Sequence, residues 1–317
     1  MMTGSRHTPI FDAAETARLT PYPALVDALQ RAVLDYTQQR IASPERLVVP
    51  LNGDGVLLSM PATAQDLAIH KLVNVCPRNR ERGIPTIHGQ VMAIEPDTGE
   101  TLFILDGPTV TGRRTAAMTM LGVRTLGRAA PRDVLLIGTG TQAANHVQAL
   151  RELYPQARIR VRGSAPQRAQ AFCEAQTQPG AARALEALAD DGVPDSVDLV
   201  IALTTSRQPV YDEVARAGRL VIGVGAFKPE MAEIGARTLA GSAIFVDDPA
   251  GARHEAGDLL QAKVDWAKVS GIATAVEAGS QALLADDASP RVFKTVGCAA
   301  WDLAAGRVAR TSLGVSR

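Results

Sequence analysis

The sequence predicts an α/β fold in which a doubly wound parallel sheet domain follows an α+β domain. Its 317 residues suggest two domains rather than a single core. Residues 134–137 are all apolar, which is typical of a strand that is covered on both faces. Further short apolar runs alternate with helical segments, as parallel strands joined by crossover helices do. These runs cover residues 158–161, 198–202, 219–225 and 243–247.

The N-terminal region is predicted to begin with one long helix over residues 12–40. Its apolar side chains recur at helical spacing, with charged residues between them. They are Leu25, Leu29, Val33 and Tyr36. A second helix, rich in Ala, Met and Leu, is predicted over residues 113–128.

Strands are predicted between these two helices. Short β-rich runs cover residues 47–50, 56–60 and 91–94. The last of them is followed by Asp97-Thr98-Gly99 and then by residues 101–104, which predicts a hairpin.

The boundary between the two domains is predicted near residue 125, because the character of the chain changes at Pro131, just before the fully apolar run. Residues 1–125 would then form the α+β domain. Residues 126–297 would form the parallel-sheet domain.

Charge and composition argue against several classes of partner. Lys+Arg and Asp+Glu both number 33, so no electrostatic footprint for nucleic acid or for an anionic membrane is expected. No stretch approaches 18 uninterrupted apolar residues, and the first residues contain no apolar signal segment. The three cysteines, Cys76, Cys173 and Cys298, form neither a zinc-binding nor a disulfide pattern. We therefore predict no metal site and expect the protein in the reducing cytoplasm.

The turn after the first buried strand indicates dinucleotide binding. Gly138-x-Gly140-x-x-Ala143 matches the pattern G-x-G-x-x-G/A, with a predicted strand before it and a helix after it. Gly138 permits the tight turn, and Gly140 lets the backbone approach a pyrophosphate. The phosphates would then sit at a helix N-terminus, where N–H groups and the helix dipole favour an anion. This strand–turn–helix arrangement predicts a Rossmann-type domain.

The end of the second strand favours NADP(H), with NAD(H) as the other possibility. Enzymes that use NAD usually carry Asp or Glu about 20 residues beyond the glycine turn, to bind the ribose 2′-OH. Here that region reads Val161-Arg162-Gly163-Ser164 and contains no carboxylate. Arg162 suits a 2′-phosphate, which favours bidentate cationic partners. A solvated arginine at a strand end is the alternative interpretation.

The chain resembles the ornithine cyclodeaminase/μ-crystallin family over roughly residues 10–310. Several separate motifs occur in the family's order, which is far more specific than one glycine turn. They are Gly138-Thr139-Gly140-Thr141-Gln142-Ala143 with His146, Lys71…Pro77…Asn79…Gly83-Ile84-Pro85-Thr86, Thr111-Gly112-Arg113-Arg114-Thr115-Ala116-Ala117, Thr204-Thr205-Ser206, Val224-Gly225-Ala226 and Phe293-Lys294-Thr295-Val296-Gly297. The resemblance implies a homodimer whose first domain serves substrate binding and dimerisation. It also implies that the C-terminal segment, residues 298–317, returns to that domain.

The resemblance further implies roles for individual residues. Arg46 and Lys71 match positions that hold a substrate carboxylate, and Arg114 matches an arginine near both substrate and nicotinamide. Lys71 and Arg114 are therefore the candidate catalytic residues. Such cations suit a small α-carboxylate, because Arg offers a directional fork and Lys a point charge that can also donate a proton. The predicted cofactor-binding residues are Thr86, Arg114, Gly138, Gly140, Thr141, Gln142, Ala143, Arg162, Ser164, Thr204, Thr205, Val224, Thr295 and Gly297. His146 is interpreted as a structural histidine.

One departure from the family separates its possible activities. Cyclodeaminases carry an aspartate directly after the Val-Gly-Gly/Ala motif, where this chain has Phe227, and a lysine where it has Met231. Phenylalanine can neither accept a proton nor bind an ammonium through a charged hydrogen bond. Phe227 could instead form an apolar wall against a substrate ring. The family members that lack this aspartate include reductases of cyclic ketimines.

We therefore expect an NAD(P)H-dependent reductase of Δ1-pyrroline-2-carboxylate and Δ1-piperideine-2-carboxylate, which would produce L-proline and L-pipecolate. Arg46 and Lys71 would hold the carboxylate while a hydride reaches C2 of the protonated C=N bond. Two alternatives stay open. The first is an ornithine cyclodeaminase, or an alanine-dehydrogenase-like amino-acid dehydrogenase. The second is a non-catalytic ligand-binding module on the same fold.

Overall fold

A computed structural model of the protein describes residues 7–177, 183–189, 192–284 and 289–315. The chain divides into two compact units. The first contains the residues up to Arg114 together with those from Cys298 onward, and the second is Thr115–Gly297. The division therefore falls some ten residues before the boundary predicted near residue 125. In the described part of the chain, no helix is both long enough and apolar enough to cross a membrane.

The first unit opens with two helices, α1 (Ala13–Leu19) and α2 (Tyr22–Thr37). The prediction of one helix over residues 12–40 is therefore wrong. Pro21 has no N–H to donate, and it disfavours the helical conformation at the preceding residue, so the chain breaks there. The side chain of Asp12 caps α1 by accepting a hydrogen bond from the Glu15 N–H, and Glu15 returns one to the Asp12 N–H.

The first unit contains a five-stranded antiparallel sheet whose strands follow one another in chain order. The strands are β1 (Leu47–Pro50), β2 (Val56–Thr63), β3 (Ala68–Val75), β4 (Ile87–Ile94) and β5 (Thr101–Asp106). The predicted hairpin is confirmed as β4 and β5, with Gly99 at a φ of 74° in the turn. Strand β3 was not predicted. A 3-10 helix, Pro77–Arg82, connects it to β4.

Helix α3 (Gly107–Leu126) follows β5 and runs through the division between the units. It begins six residues before the predicted start at residue 113. The reason is local, because the Asp106 carboxylate accepts hydrogen bonds from the Thr109 N–H at 2.8 Å and from its hydroxyl at 2.5 Å. Such a side-chain acceptor satisfies a donor that the first helical turn leaves without a partner.

The second unit contains an eight-stranded sheet, and all of its neighbouring strands pair in parallel. The strands are β6 (Asp133–Ile137), β7 (Arg158–Arg162), β8 (Glu186–Ala187), β9 (Leu199–Ala202), β10 (Leu220–Gly223), β11 (Ala243–Val246), β12 (Val269–Gly271) and β13 (Arg291–Lys294). The helices of this unit are α4 (Thr141–Leu153), α5 (Pro166–Ala175), α6 (Ala236–Ala240), α7 (Pro249–Glu255), α8 (Gly257–Gln261) and α9 (Ile272–Leu284).

The strand order β12-β11-β13-β10-β9-β6-β7-β8 makes the sheet doubly wound. From β6 the chain proceeds to β7 and β8 on one side, and then crosses to β9 and β10 on the other. The order therefore reverses between β6 and β9. In open sheets of this kind, ligands bind at the carboxyl edge beside such a reversal. The predicted fold class is confirmed.

The last helix, α10 (Ala299–Ser312), belongs to the first unit. Trp301 is fully buried and packs edge to face against Tyr36 of α2, with ring centroids 5.6 Å apart. Arg307 forms ion pairs with Asp35 and Asp66. The final segment of the chain is thus part of the first unit's core.

Gly122 of α3 provides a test of packing in the second unit. A Cβ at this position would overlap the buried ring of Phe293 in β13. Alanine favours a helix over glycine by about 1 kcal/mol, whereas overpacking a core costs about 1–3 kcal/mol. We expect Gly122→Ala to lower the free energy of unfolding measured in urea.

The matched control is Gly306→Ala in α10. A Cβ there would lie 3.1 Å from Ile69 Cγ2 and Leu67 Cδ2, a milder approach than that of a Cβ on Gly122 to the Phe293 ring. This variant should lose less stability than Gly122→Ala. A Gly122→Ala protein as stable as the unchanged chain would contradict the packing argument.

Candidate active site

The glycine turn after β6 has the geometry that a bound pyrophosphate needs. Gly138 has a φ of 129°, and a Cβ on it would lie 2.6 Å from the Leu203 carbonyl oxygen. A Cβ on Gly140 would meet no atom within 4 Å, so the space above this residue is open. Gly140 is also the N-cap of α4, and no side chain caps that helix. The first-turn N–H groups, beginning at Thr141, can therefore receive an anion.

The predicted cofactor-binding residues of the second unit lie along one edge of its sheet. Ile137, Ala202, Gly223 and Lys294 end four neighbouring strands in register. Beyond these ends lie Gly138, Gly140, Thr141, Gln142, Ala143, Thr204, Thr205, Val224, Thr295 and Gly297. The structure thus gathers these residues of the second unit at the carboxyl edge, where open sheets of this kind bind ligands.

Several of these residues are held by backbone contacts. The Thr295 N–H donates to the Gly223 carbonyl at 2.9 Å, which extends the pairing of β10 and β13 beyond the strands. Asp247 accepts hydrogen bonds from the N–H groups of Val296 and Gly297, each at 2.9 Å. Ala143 is fully buried and lets α4 pack close to the sheet.

Arg162 does not have the exposure that binding a 2′-phosphate requires. It is buried at the end of β7, and its guanidinium donates to the Val210 carbonyl oxygen at 2.6 Å. Ser164, in contrast, is exposed in the turn after β7. The next cation along the chain is Arg168, which is exposed in the first turn of α5. Sequence reasoning did not single out Arg168.

Phe227 lies in the loop after β10, and 38% of its surface is exposed. Its aromatic ring is therefore available to an apolar ligand. His146 is fully buried, with Nδ1 2.7 Å from the Gln142 carbonyl oxygen and Nε2 2.9 Å from the Thr119 hydroxyl. Burial lowers the pKa of His146 to about 4, so this side chain is neutral near pH 7. Both contacts fit a structural role for His146.

In the first unit, Lys71 and Arg114 meet at one carboxylate. Lys71 Nζ lies 2.5 Å from Oδ2 of Asp302, and Arg114 Nε lies 3.0 Å from Oδ1 of the same group. The three residues come from β3, α3 and α10, and all are buried. Sequence reasoning missed Asp302. Its signal is a single charge within the apolar run Ala299-Ala300-Trp301-Asp302-Leu303-Ala304-Ala305.

Burial and the charges of this cluster lower the pKa of Lys71 from its ordinary value. The pKa of Lys71 is lowered to about 8: burial is the largest cause, the positive charges of Arg114 and Arg46 act in the same direction, and Asp302 opposes them. Burial alone would raise the pKa of Asp302, but Lys71 and Arg114 outweigh it and hold that pKa below its usual value. Asp302 is thus ionised at pH 7, and Lys71 is a protonated amine that can titrate near physiological pH.

The two remaining predicted residues of the first unit are more exposed. Arg46 is half-buried, and it is near enough for its charge to influence Lys71. Thr86 is half-buried just before β4, and its carbonyl oxygen accepts a hydrogen bond from the Cys76 N–H at 2.8 Å. The cluster of the first unit therefore consists of Lys71, Arg114 and Asp302, with Arg46 acting on its electrostatics.

Comparison with known proteins identifies relatives along the whole chain. The chain is 58% identical over 316 residues to Delta(1)-pyrroline-2-carboxylate/Delta(1)-piperideine-2-carboxylate reductase of Azospirillum brasilense, covering 100% of this chain and 99% of the relative. It is 57% identical over 316 residues to Delta(1)-pyrroline-2-carboxylate reductase 2 of Burkholderia ambifaria, with the same coverage.

A solved structure has the same fold at low sequence identity. It is Delta(1)-pyrroline-2-carboxylate reductase of Thermococcus litoralis in complex with NADH and L-proline, with a TM-score of 0.85 and 22% identity. The match covers 96% of this chain and 97% of that one. The model of the ornithine cyclodeaminase/mu-crystallin family matches residues 7–314. This chain belongs to the ornithine cyclodeaminase/mu-crystallin family.

Proposed function

We propose that the protein is an NAD(P)H-dependent reductase of small cyclic ketimine carboxylates. It converts Δ1-pyrroline-2-carboxylate to L-proline and Δ1-piperideine-2-carboxylate to L-pipecolate. The observation that carries this proposal is 58% identity, over the whole chain, with a reductase named for both substrates. The residues fit that chemistry, because the first unit offers buried cations for a carboxylate and the second offers a dinucleotide turn.

Lys71 and Arg46 bind the substrate carboxylate. An ammonium has three donors, and Asp302 occupies one of those of Lys71. Arg114 meets Asp302 through Nε, which is not part of the terminal fork that pairs with planar anions. Asp302 therefore orients Lys71 and Arg114 and offsets the repulsion between these two cations. Their burial strengthens each interaction with an anionic substrate.

When bound, the nicotinamide supplies the hydride that adds to C2 of the C=N bond. The nitrogen takes up one proton in the same conversion. A ketimine nitrogen is already basic, so the protein needs no strong base, and this agrees with Phe227 in place of a carboxylate. The work of Lys71, in holding the carboxylate or in donating a proton, requires its charged form.

The test is an assay of purified protein with NADPH and NADH. The substrates are Δ1-pyrroline-2-carboxylate, Δ1-piperideine-2-carboxylate and pyruvate plus ammonia, and L-ornithine is tested for ammonia release. We expect dinucleotide oxidation with the two ketimines. Ammonia release from L-ornithine without net NADH formation would identify a cyclodeaminase. Dinucleotide binding without any turnover would identify a non-catalytic module.

We propose that NADP(H) is preferred over NAD(H). The turn after β7 contains no carboxylate, and it carries the exposed residues Ser164 and Arg168. Because Arg162 donates inward, Arg168 is the cation suited to a 2′-phosphate. Arg168→Gln should raise the KM for NADPH about tenfold, as the loss of one charged hydrogen bond predicts, and leave the KM for NADH unchanged. Arg162→Gln is the paired variant. If only that protein shows a higher KM for NADPH with an unchanged KM for NADH, Arg162 and not Arg168 binds the 2′-phosphate.

We also propose a cytoplasmic homodimer. All four residues of β1, at the edge of the antiparallel sheet, are exposed, and three of them are apolar: Leu47, Val48 and Val49. An apolar strand exposed at a sheet edge favours a protein partner. The three cysteines are free thiols, which suits a reducing compartment. Sedimentation velocity tests the dimer, and a Val48→Lys variant should shift it towards monomer.

A further inference from the structure

The second unit contains a buried charged cluster that the proposed chemistry does not use. Glu233, Asp258 and Lys294 are each at most 1% exposed. Lys294 Nζ lies 2.9 Å from Asp258 Oδ2 and 3.8 Å from Glu233 Oε2. Burying three charges is costly unless each has partners that replace water. The cluster therefore needs a reason that the core alone does not supply.

The contacts of Glu233 indicate that reason. Its Oε1 accepts a hydrogen bond from the Thr204 N–H at 2.5 Å, in the turn after β9. Its Oε2 accepts from the N–H groups of Gly225 at 2.6 Å and Ala226 at 3.0 Å, in the turn after β10. One carboxylate thus ties together two turns that follow neighbouring parallel strands.

These two turns are in direct contact. A Cβ on Gly225 would overlap the Thr204 carbonyl oxygen, so only glycine fits between them. Backbones this close need a shared acceptor for the N–H groups that the strands no longer pair. Glu233 is that acceptor.

Asp258 and Lys294 hold Glu233 in position. Asp258 Oδ1 accepts hydrogen bonds from the N–H groups of Glu233 at 2.5 Å and Ile234 at 2.7 Å. Lys294, at the end of β13, supplies a positive charge to both carboxylates. Burial raises the pKa of Glu233, and Lys294 together with the backbone N–H groups opposes that rise. The acceptor form of Glu233 thus depends on Lys294.

The location of the turns assigns them to one half of the dinucleotide. In the sheet order, β7 lies on one side of β6, and β9, β10 and β13 lie on the other. The adenine ribose belongs at the end of β7 and the pyrophosphate at the turn after β6. The nicotinamide half therefore extends over the ends of β9 and β10.

We propose that Glu233, supported by Lys294 and Asp258, is the positioning residue that holds the turns after β9 and β10 in the shape that binds the nicotinamide half of the cofactor. This inference rests on the dinucleotide site of the proposed function. Glu233 touches neither the cofactor nor the substrate in this role. It acts through the backbone of Thr204 and Gly225.

The test is Glu233→Gln, assayed by equilibrium binding. Glutamine has one acceptor oxygen where the carboxylate has two, and its NH₂ group would face N–H donors. The substitution leaves Lys294 and Asp258 as a neutral pair, so it is the least disruptive change in the cluster. We expect the Kd values of NADPH and NADH to rise about tenfold or more, as the loss of charged hydrogen bonds predicts. The Kd values of the adenine-half fragments 2′,5′-ADP and ADP should change less than about twofold.

Asp133→Asn is the matched control. Asp133 is also a buried carboxylate of this sheet, but it lies at the amino end of β6 and pairs with Arg160 at 2.8 Å and Ser196 at 2.6 Å. The Asp133→Asn variant should have a lower free energy of unfolding, but the ratio of its affinities for NADPH and for 2′,5′-ADP should not change. If Glu233→Gln raises the Kd values of dinucleotides and fragments by the same factor, or raises none of them, the inference is wrong. If the unchanged protein binds no dinucleotide at all, the proposed function is wrong, whatever the effect of Glu233→Gln.

Amide hydrogen exchange of the unchanged protein gives a test that needs no variant. With no dinucleotide added, the amides of Thr204, Gly225 and Ala226 should exchange as slowly as those of β9 and β10, because Glu233 already holds them. Fast exchange in the free protein that becomes slow only with NADPH would show that the cofactor orders these turns. That result would overturn the proposal.

Discussion

Replacing Lys71 with methionine should lower kcat/KM for Δ1-pyrroline-2-carboxylate about 10²–10⁴-fold, the range expected for loss of a positioned proton donor or charged contact. Methionine keeps most of the length and apolar surface of lysine while removing its charge. Asp302 keeps Arg114 as a partner, at 3.0 Å, so the buried carboxylate is not left alone. The loss should appear with both ketimines and with either dinucleotide.

Two further variants help to interpret that result. Lys268→Met removes an exposed lysine from the second unit and should leave kcat/KM unchanged. Lys71→Arg keeps the positive charge but replaces the compact ammonium with a guanidinium, so it distinguishes a requirement for charge from a requirement for the shape of lysine. A Lys71→Met protein within about threefold of full activity would remove Lys71 from the reaction, since a single lost charged contact already predicts more than that.

Asp302→Asn should move the alkaline limit of activity to lower pH. In the unchanged protein, kcat/KM should fall as pH rises through about 8, because Lys71 loses its proton there. Asp302 is the negative charge that favours the protonated amine, so its removal lowers the pKa of Lys71 further. Removing an opposite charge at this distance should move the limit by about one pH unit or more. Activity at pH 8 should drop about fivefold or more and recover partly as the pH is lowered.

The measurement is kcat/KM as a function of pH for both proteins with the same ketimine. Ionisation of the substrate is common to the two profiles, so their difference reports the enzyme group. Asp66→Asn is the control, because Asp66 is a partly buried carboxylate of the same unit that pairs with Arg307 and Arg310. It should cost stability and leave the alkaline limit in place. If the pH profiles of kcat/KM coincide for Asp302→Asn and the unchanged protein, the alkaline limit does not report Lys71 held by Asp302.

The parts of the structure that sequence predicted correctly are those determined by neighbouring residues. The glycine turn at Gly138, the apolar strand that precedes it and the hairpin around Gly99 each follow from a short stretch of chain. The break at Pro21 was also available locally, yet the helical spacing of the apolar residues around it obscured the break. Strand β3 was missed because the polarity of its residues does not follow their burial: Lys71 is buried, whereas Leu72 is exposed.

The missed functional residues depend on contacts between distant parts of the chain. Arg114 and Asp302 are 188 residues apart in sequence, so no local pattern could pair them. Glu233 accepts its hydrogen bonds from backbone N–H groups. Every residue except proline has such a group, so the residue types of the partners do not reveal the contact in the sequence. Arg162 shows the reverse case. Its position at the strand end suggested a phosphate ligand, but the contact with the Val210 carbonyl depends on how the chain folds back.

The division of the first unit between the two ends of the chain has a consequence for biosynthesis. The second unit is one continuous segment and can fold as soon as Gly297 leaves the ribosome. The first unit has to wait for α10, and until Asp302 is made, Lys71 and Arg114 would be two mutually repelling cations with no carboxylate between them. A nascent chain or a premature stop before residue 302 therefore lacks both the helix and the counter-charge. Competence for catalysis therefore requires that translation has passed through α10.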